Sequence, residues 1–381
     1  GVQTPQSLAS LIYGTYTGLI YATPLLGGWL ADNVLGQRRT ALLGMALMVF
    51  GHFMMASEAL LFPALLLLIF GGGIFKPNTT SQVGLLYETG DPRRDSGYAI
   101  FYIGINMGAF IAPFICGTLG EDVGWHYGFA SAGVGILLGM AVYLLGWKKL
   151  PPDTKRTAKA AHQPLTRKEW RSVGALCLLV IPLTLYWACN EQQGNTAALW
   201  SIDNTDRAIN LLGWHTAIPF TWFQAFNPGV IFIGTPLILA LWQRQGARQS
   251  STTMKMVTGC VLMTAANLLM VVAALQGGKS SWLWLAAYFV ILTVGEIYLY
   301  PTSLSLVSKV APTRIASLMM GVVFLPNFLG GGFLQGWLGT FWDKMDKAVF
   351  FAMIAAISAV AGLIIWAFDR PLRPYLEEKS P

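Results

Sequence analysis

An all-α, polytopic membrane fold of two helical bundles is predicted by three features of the sequence. These are its composition, its series of long apolar stretches, and the alternation of charge between those stretches. Of 381 residues, 54% are hydrophobic and only 11% are charged, and the mean hydropathy is +0.54. Soluble domains average about 25% charged residues, so the length reflects many spans rather than one large water-soluble core. Among 14 tryptophans, Trp125, Trp147, Trp170, Trp282 and Trp284 sit near the ends of apolar stretches, as in an interfacial aromatic belt.

Crossing the hydrocarbon core takes about 20 apolar residues in a helix. Eleven such segments fall near 7–31, 38–57, 59–86, 97–119, 126–147, 172–200, 217–243, 254–276, 282–308, 315–340 and 348–368. Several are interrupted by Gly, Pro or polar residues, as in helices that line a cavity. One set of loops and ends holds 20 Lys/Arg, including Arg38, Arg39, Arg93, Arg94 and the stretch Lys148–Arg171. The alternate set holds four: Arg207, Lys279, Lys344 and Lys347. The positive-inside rule places the first set in the cytoplasm. The first loop, 31–38, is then cytoplasmic, Gly1 outside and the C-terminus inside, with five spans before the long basic stretch and six after it. A six-plus-six transporter has both termini inside, so the expectation is that the first of twelve spans is missing from this chain.

The net charge of +7 is accounted for by these loops, so no nucleic-acid partner is expected. Cys116, Cys177, Cys189 and Cys260 lie in apolar segments at no metal spacing, and neither a metal site nor a disulfide framework is expected. The segment KKLPPDTKRTAKAAHQPLTRKEW is the one long polar stretch. It divides the chain into an N-terminal bundle (1–148), a cytoplasmic linker (149–170) and a C-terminal bundle (171–381). A compositional echo between GGWLADNVLGQRR (27–39) and GTPLILALWQRQG (234–246) fits two related halves.

Three charges stand out within the apolar segments. Lys76 lies in LLLLIFGGGIFKPNTTSQVGLLY, Glu191 in LTLYWACNEQQGNTAALW and Glu296 in AAYFVILTVGEIYLYPTSLSL. A charge at membrane depth costs several kcal/mol, roughly 2.5–3.5 on insertion scales, and marks a functional site by default. One buried cation and two buried anions point to a small zwitterion and a titratable group. A dipeptide separates its terminal charges by about 7 Å, a length that a cation from one bundle and an anion from the other can read. Gly71–Gly73 lacks the G-K-[ST] ending of a phosphate loop, so close helix packing is the expected role of that run.

GGWLADNVLGQRRT (27–40) is similar to the loop motif of the major facilitator superfamily. Together with SGYAIFYIGINMGAFIAPF (96–114), GGGIFKPN, WACNEQQG (187–194), FQAFNPGVIF (223–232) and GEIYLYPTSLSLVSKVAP (295–312), it resembles the proton-dependent oligopeptide transporter family across nearly the whole chain. The resemblance implies a major facilitator-like two-bundle fold and proton-coupled import of di- and tripeptides by alternating access. It implies a monomer in the inner or plasma membrane, with the proton as coupling ion and no cofactor. It gives Lys76 the peptide carboxylate, Glu296 the peptide ammonium, and Glu191 the coupling proton. Asn106 and Asn227 bind the peptide bond and amino terminus, Tyr21 and Trp187 line the pocket, and Asp32, Arg38 and Arg39 form a gating latch. Two departures stand against it: the family's first-span E-x-x-E-R motif is absent, and the linker is too short for the two extra helices common in bacterial members.

The alternatives are another solute on the same scaffold, such as nitrate or a drug-like compound, or an intramembrane enzyme. A cation exporter has no use for Lys76, nor nitrate for Glu296. The four histidines form no H-E-x-x-H and no G-x-S-x-G occurs, so no enzyme is expected.

Overall fold

The structure, a computed structural model, describes residues 4–87, 93–150, 152–153, 165–211, 214–310, 319, 322 and 324–376. Helix dominates them. In order they are α1 (Pro5–Ala22), α2 (Pro24–Leu30), α3 (Gln37–Met54), α4 (Leu61–Leu85), α5 (Arg93–Ala112) and α6 (Trp125–Leu145). Then come α7 (Arg167–Asn190), α8 (Thr196–Asp203), α9 (Phe226–Gln245), α10 (Thr252–Leu275) and α11 (Trp282–Val310). Next, Leu325–Phe328, a π turn at Leu329–Leu334 and Gln335–Gly339 follow without a break and are called α12 here; α13 is Lys347–Leu376. Eight of the described helical segments are long and apolar enough to cross a membrane. Most of the expected linker, and part of the expected span 315–340, lie outside the described residues.

Two small strand pairs were not legible in the sequence. Ala208–Leu211 pairs antiparallel with Trp214–Ala217, and Thr205–Asp206 pairs in parallel with Ser280–Ser281. They lie between apolar stretches, where backbone groups need partners outside any helix.

The chain forms two compact units, Leu19–Ala161 and His162–Pro381, the latter joined by Gly1–Gly18. In the first, α3 packs on α4 and α6, and α2 packs on α4. Glycine permits this closeness. A Cβ on Gly27 would lie 2.7 Å from the Gly73 carbonyl oxygen, and one on Gly44 would lie 2.8 Å from that of Gly71. Thr23 seats against Gly73 and donates its hydroxyl to the Ile69 carbonyl at 3.1 Å. Close packing is thus the role of Gly71 and Gly73, as the sequence suggests. On α6, Leu138, Val142 and Leu145 are 65, 69 and 86% exposed, an apolar stripe at helical spacing suited to lipid.

In the C-terminal unit, α10 packs on α11 and α13, and α7 packs on α12 and α13. Its core includes Tyr186, Trp200, Phe223, Tyr288, Phe289, Trp342, Phe350 and Phe351. The first 14 residues of α1 dock here through two small-xxx-small faces. A Cβ on Gly14 would lie 2.7 Å from the Gly332 carbonyl oxygen and 2.8 Å from the Gly336 Cα. Gly18 meets the Phe328 carbonyl and Gly332. Such faces let helix backbones approach closely where lipid gives no hydrophobic drive. A buried polar chain fastens the same seam: Ser10 donates to Asn195 at 2.9 Å, and Asn195 donates to Gln335 Oε1 at 3.1 Å.

Gly14→Val should therefore overpack the seam by about 1–3 kcal/mol and lower the thermal midpoint of the purified protein. Gly139→Val, at a position with no neighbour within 4 Å, should leave it near wild type. Equal melting of the two variants would show that the seam is not formed.

Candidate functional site

The expected site residues fall in both units, and each unit is described by itself. In the C-terminal unit, α7 opens with a capping box at Thr166 and Glu169 and runs to Asn190. It then tightens into a 3₁₀ turn, Glu191–Gly194. Gln192 pins this turn, donating to the Ala188 carbonyl at 3.3 Å and to the Gln335 carbonyl at 3.0 Å, and accepting from Thr196 at 3.0 Å. Glu191 is half-buried and packs directly on glycine: a Cβ on Gly331 would lie 3.0 Å from its Cγ.

Glu296 lies mid-way along α11, also half-buried. Its Oε2 accepts a hydrogen bond from Asn227 Nδ2 on α9 at 2.8 Å, and the same nitrogen lies 3.2 Å from the Thr293 hydroxyl oxygen. Thr293 and Tyr300 sit three residues before and four residues after Glu296, on one helix face. Tyr300 meets the ring of Trp187 edge-to-face at 5.5 Å, and Trp187 meets Tyr186 in the same manner at 5.9 Å. Glu296, Asn227 and Trp187, expected separately from sequence, thus share one neighbourhood of the C-terminal unit. Thr293, Tyr300 and Tyr186 were missed. The first two were readable by helical spacing from Glu296; Tyr186 has no such signal.

In the N-terminal unit, Lys76 stands on α4 just before Pro77. It is exposed, not enclosed as the apolar flanks suggested, because the flanking apolar residues lie on other faces of the same helix. Its ammonium lies 5.9 Å from the centre of the Tyr21 ring, within cation–π range. Tyr21 and Lys76 are therefore brought together. Asn106 on α5 is 8% exposed and donates to the Tyr102 carbonyl of its own helix at 2.9 Å.

The latch residues have a partner that spacing does not reveal. The backbone N–H of Arg38 donates to Asp153 Oδ1 at 2.7 Å, and its guanidinium donates to the Trp147 carbonyl at 3.2 Å. Arg39 Nε lies 4.0 Å from Asp153 Oδ2. The Arg39 side chain is 72% exposed, so this pair contributes little by itself. Gly36 opens α3 with φ +82°, and Asp153 fills the space that its side chain would need. Asp32 occupies the preceding π turn, Ala31–Leu35.

Long apolar helices in two units, each carrying polar side chains at mid-helix, define a polytopic membrane protein of the major facilitator type. The chain belongs to the POT family, whose PTR2 sequence model matches residues 38–167 and 155–357. It is 32% identical over 425 aligned residues to the uncharacterized transporter YclF of Bacillus subtilis (strain 168), covering 96% of this chain and 85% of that one. It is 29% identical over 438 residues to a di-/tripeptide transporter of Lactococcus lactis subsp. cremoris, covering 98% and 88%. Among solved structures, the peptide transporter POT in complex with sulfate superposes with a TM-score of 0.89 at 28% identity, over 97% of this chain and 87% of that one. A POT family transporter in complex with 5-aminolevulinic acid gives 0.89 at 27% identity, over 96% and 88%.

Gly36→Ala should place a side chain in a left-handed backbone region and against Asp153, a strain of about 1–3 kcal/mol. The check is the thermal midpoint beside that of Gly28→Ala, whose added Cβ meets nothing within 4 Å. A Gly36→Ala protein as stable as wild type would contradict the seating of Asp153 on this turn.

Proposed function

We propose that this chain imports di- and tripeptides together with protons by alternating access, in a cell's inner or plasma membrane. The observation that carries the reading is the Asn227–Glu296 hydrogen bond at 2.8 Å beside Thr293. It supports a carboxylate held in place at mid-helix, suited to a primary ammonium. Lys76, beside Tyr21, is assigned the peptide carboxylate. Asn227 and Asn106 are assigned peptide amides, which every peptide presents whatever its side chains. Trp187 and Tyr300 supply an apolar wall. The membership of the POT family and the di-/tripeptide relatives support the same substrate class.

Glu191 is assigned the coupling proton. A carboxyl group at membrane depth changes its proton affinity with its surroundings: desolvation favours the neutral form, and nearby cations or donors favour the charged one. A conformational cycle that alternates those surroundings loads a proton on one side and releases it on the other. Asp32, Arg38 and Arg39, with Asp153, are assigned to gating. The proton is the coupling ion, no cofactor takes part, and the working unit is a monomer.

Proteoliposomes with an inward proton gradient should accumulate dialanine, but neither free alanine nor nitrate. Accumulation of nitrate or of a drug-like cation instead would assign another solute to this scaffold. Glu191→Gln should lose proton-driven accumulation while keeping counterflow, because exchange of labelled for unlabelled peptide needs no net proton movement. Lys76→Ala should weaken the apparent affinity for dialanine by about tenfold or more, the scale of a hydrogen bond to a charged group at about 1.5–3 kcal/mol. Normal accumulation by Glu191→Gln would move the coupling proton to another residue.

A further inference from the structure

Tyr13 is a residue that neither the sequence motifs nor the assigned site includes. It lies on the part of α1 that belongs to the C-terminal unit. Its hydroxyl rests on the Cα of Gly194: a Cβ at Gly194 would coincide with the space of the Tyr13 oxygen and lie 3.2 Å from Cζ. Gly194 closes the 3₁₀ turn that begins at Glu191. Residues i and i+3 of a 3₁₀ turn eclipse one another, so the face that receives the Tyr13 hydroxyl is the face of Glu191.

The electrostatics run the same way. The Glu191 carboxylate acts on the Tyr13 phenol, as does Tyr16 one turn away, and Thr17 touches Tyr13 through its hydroxyl. Glu191 and Tyr16 are thus the titratable groups whose charge acts on the Tyr13 phenol. On its other side Glu191 meets the bare backbone of Gly331, so α12 brings no charged side chain to that contact. Gln192, the next residue of the turn, is already engaged by Ala188, Gln335 and Thr196. The turn is therefore held fixed, with the Tyr13 phenol seated against its Gly194 end.

We propose that Tyr13 is the positioning residue of Glu191, its hydroxyl donating a hydrogen bond to the Glu191 carboxyl. The seating of the Tyr13 hydroxyl on the turn Glu191–Gly194 stands on geometry, the hydrogen bond to Glu191 is the inference drawn from it, and its importance for transport rests on the reading of Glu191 as the proton carrier. Gly194 is part of the device, because only a residue without a side chain admits the phenol to this face. A donor to a carboxylate favours its charged form. Loss of the hydroxyl should therefore carry the pH profile of dialanine uptake upward by about one to two units, given about 1.5–3 kcal/mol for such a bond and 1.36 kcal/mol per unit.

The direct test is infrared difference spectroscopy of the full chain in lipid, between acid and neutral pH. The protonated carboxyl band that vanishes in Glu191→Gln belongs to Glu191. Tyr13→Phe should move that band to higher wavenumber, because a carbonyl that loses a donor stiffens. Gly194→Ala should move it likewise, by displacing the phenol while leaving its chemistry intact. The double variant should move it no further, since phenylalanine has vacated the place of the oxygen. A band unmoved by Tyr13→Phe, or by a folded Gly194→Ala, would overturn the proposal. Should Gly194→Ala fail to fold, Tyr13→Phe alone decides. Normal proton-driven accumulation in Glu191→Gln would refute the proton-carrier reading separately, leaving the Tyr13 contact to the band position.

Discussion

A carboxylate working at mid-helix in a bilayer has to be solvated by the protein around it, and this constraint organises the C-terminal unit. Leaving a buried charge without hydrogen bonds costs more than any packing around it can recover. Glu296 meets the constraint with a donor from a neighbouring helix, Asn227 on α9, whose nitrogen also lies near the Thr293 hydroxyl. The donor has to come from outside, because within α11 the backbone N–H groups are spent on the helix itself. Fixing α9 against α11 therefore fixes the polarity of the site. Trp187 and Tyr300 then shape the apolar side of the same neighbourhood.

Glycine supplies the second constraint. Helices in lipid gain nothing from excluding water, so they associate by close fit. Gly14, Gly18, Gly332 and Gly336 let α1 and α12 meet backbone to backbone. Gly331 does the same for Glu191, and Gly194 for Tyr13. Gly331 is next to Gly332 of the seam, and Tyr13, which Gly194 admits, is next to Gly14. Substitutions there bear on stability and on the site together, and only a readout specific to the carboxyl separates the two.

Hydropathy and charge made the membrane fold and most of its helices legible, because twenty apolar residues and a biased loop leave a signal in any window of sequence. Lys76, Glu191 and Glu296 were legible for the same reason, being charges where charges are costly. Other features depend on encounters that spacing cannot encode. Asp153 meets Arg38 across 115 positions of sequence and belongs to a polar stretch that reads as solvated linker. The enclosure expected for Lys76 failed, since apolar flanks along a helix say nothing about the face between them. The docking of the first residues of α1 on α12 was hidden because a glycine reads equally as a flexible point or a contact. Tyr13 carries no signal of its own; its place is set by the absence of a side chain at Gly194.

In the proposed function, peptide and proton cross together. It is tested most directly by running the coupling backwards. Proteoliposomes loaded with dialanine, with no imposed pH or electrical gradient, are diluted into peptide-free buffer while a trapped pH dye is followed. Exit of the peptide should carry protons out and make the lumen alkaline, in a fixed ratio to the dialanine lost. Dialanine leaving at the same rate with no change in luminal pH would contradict the account.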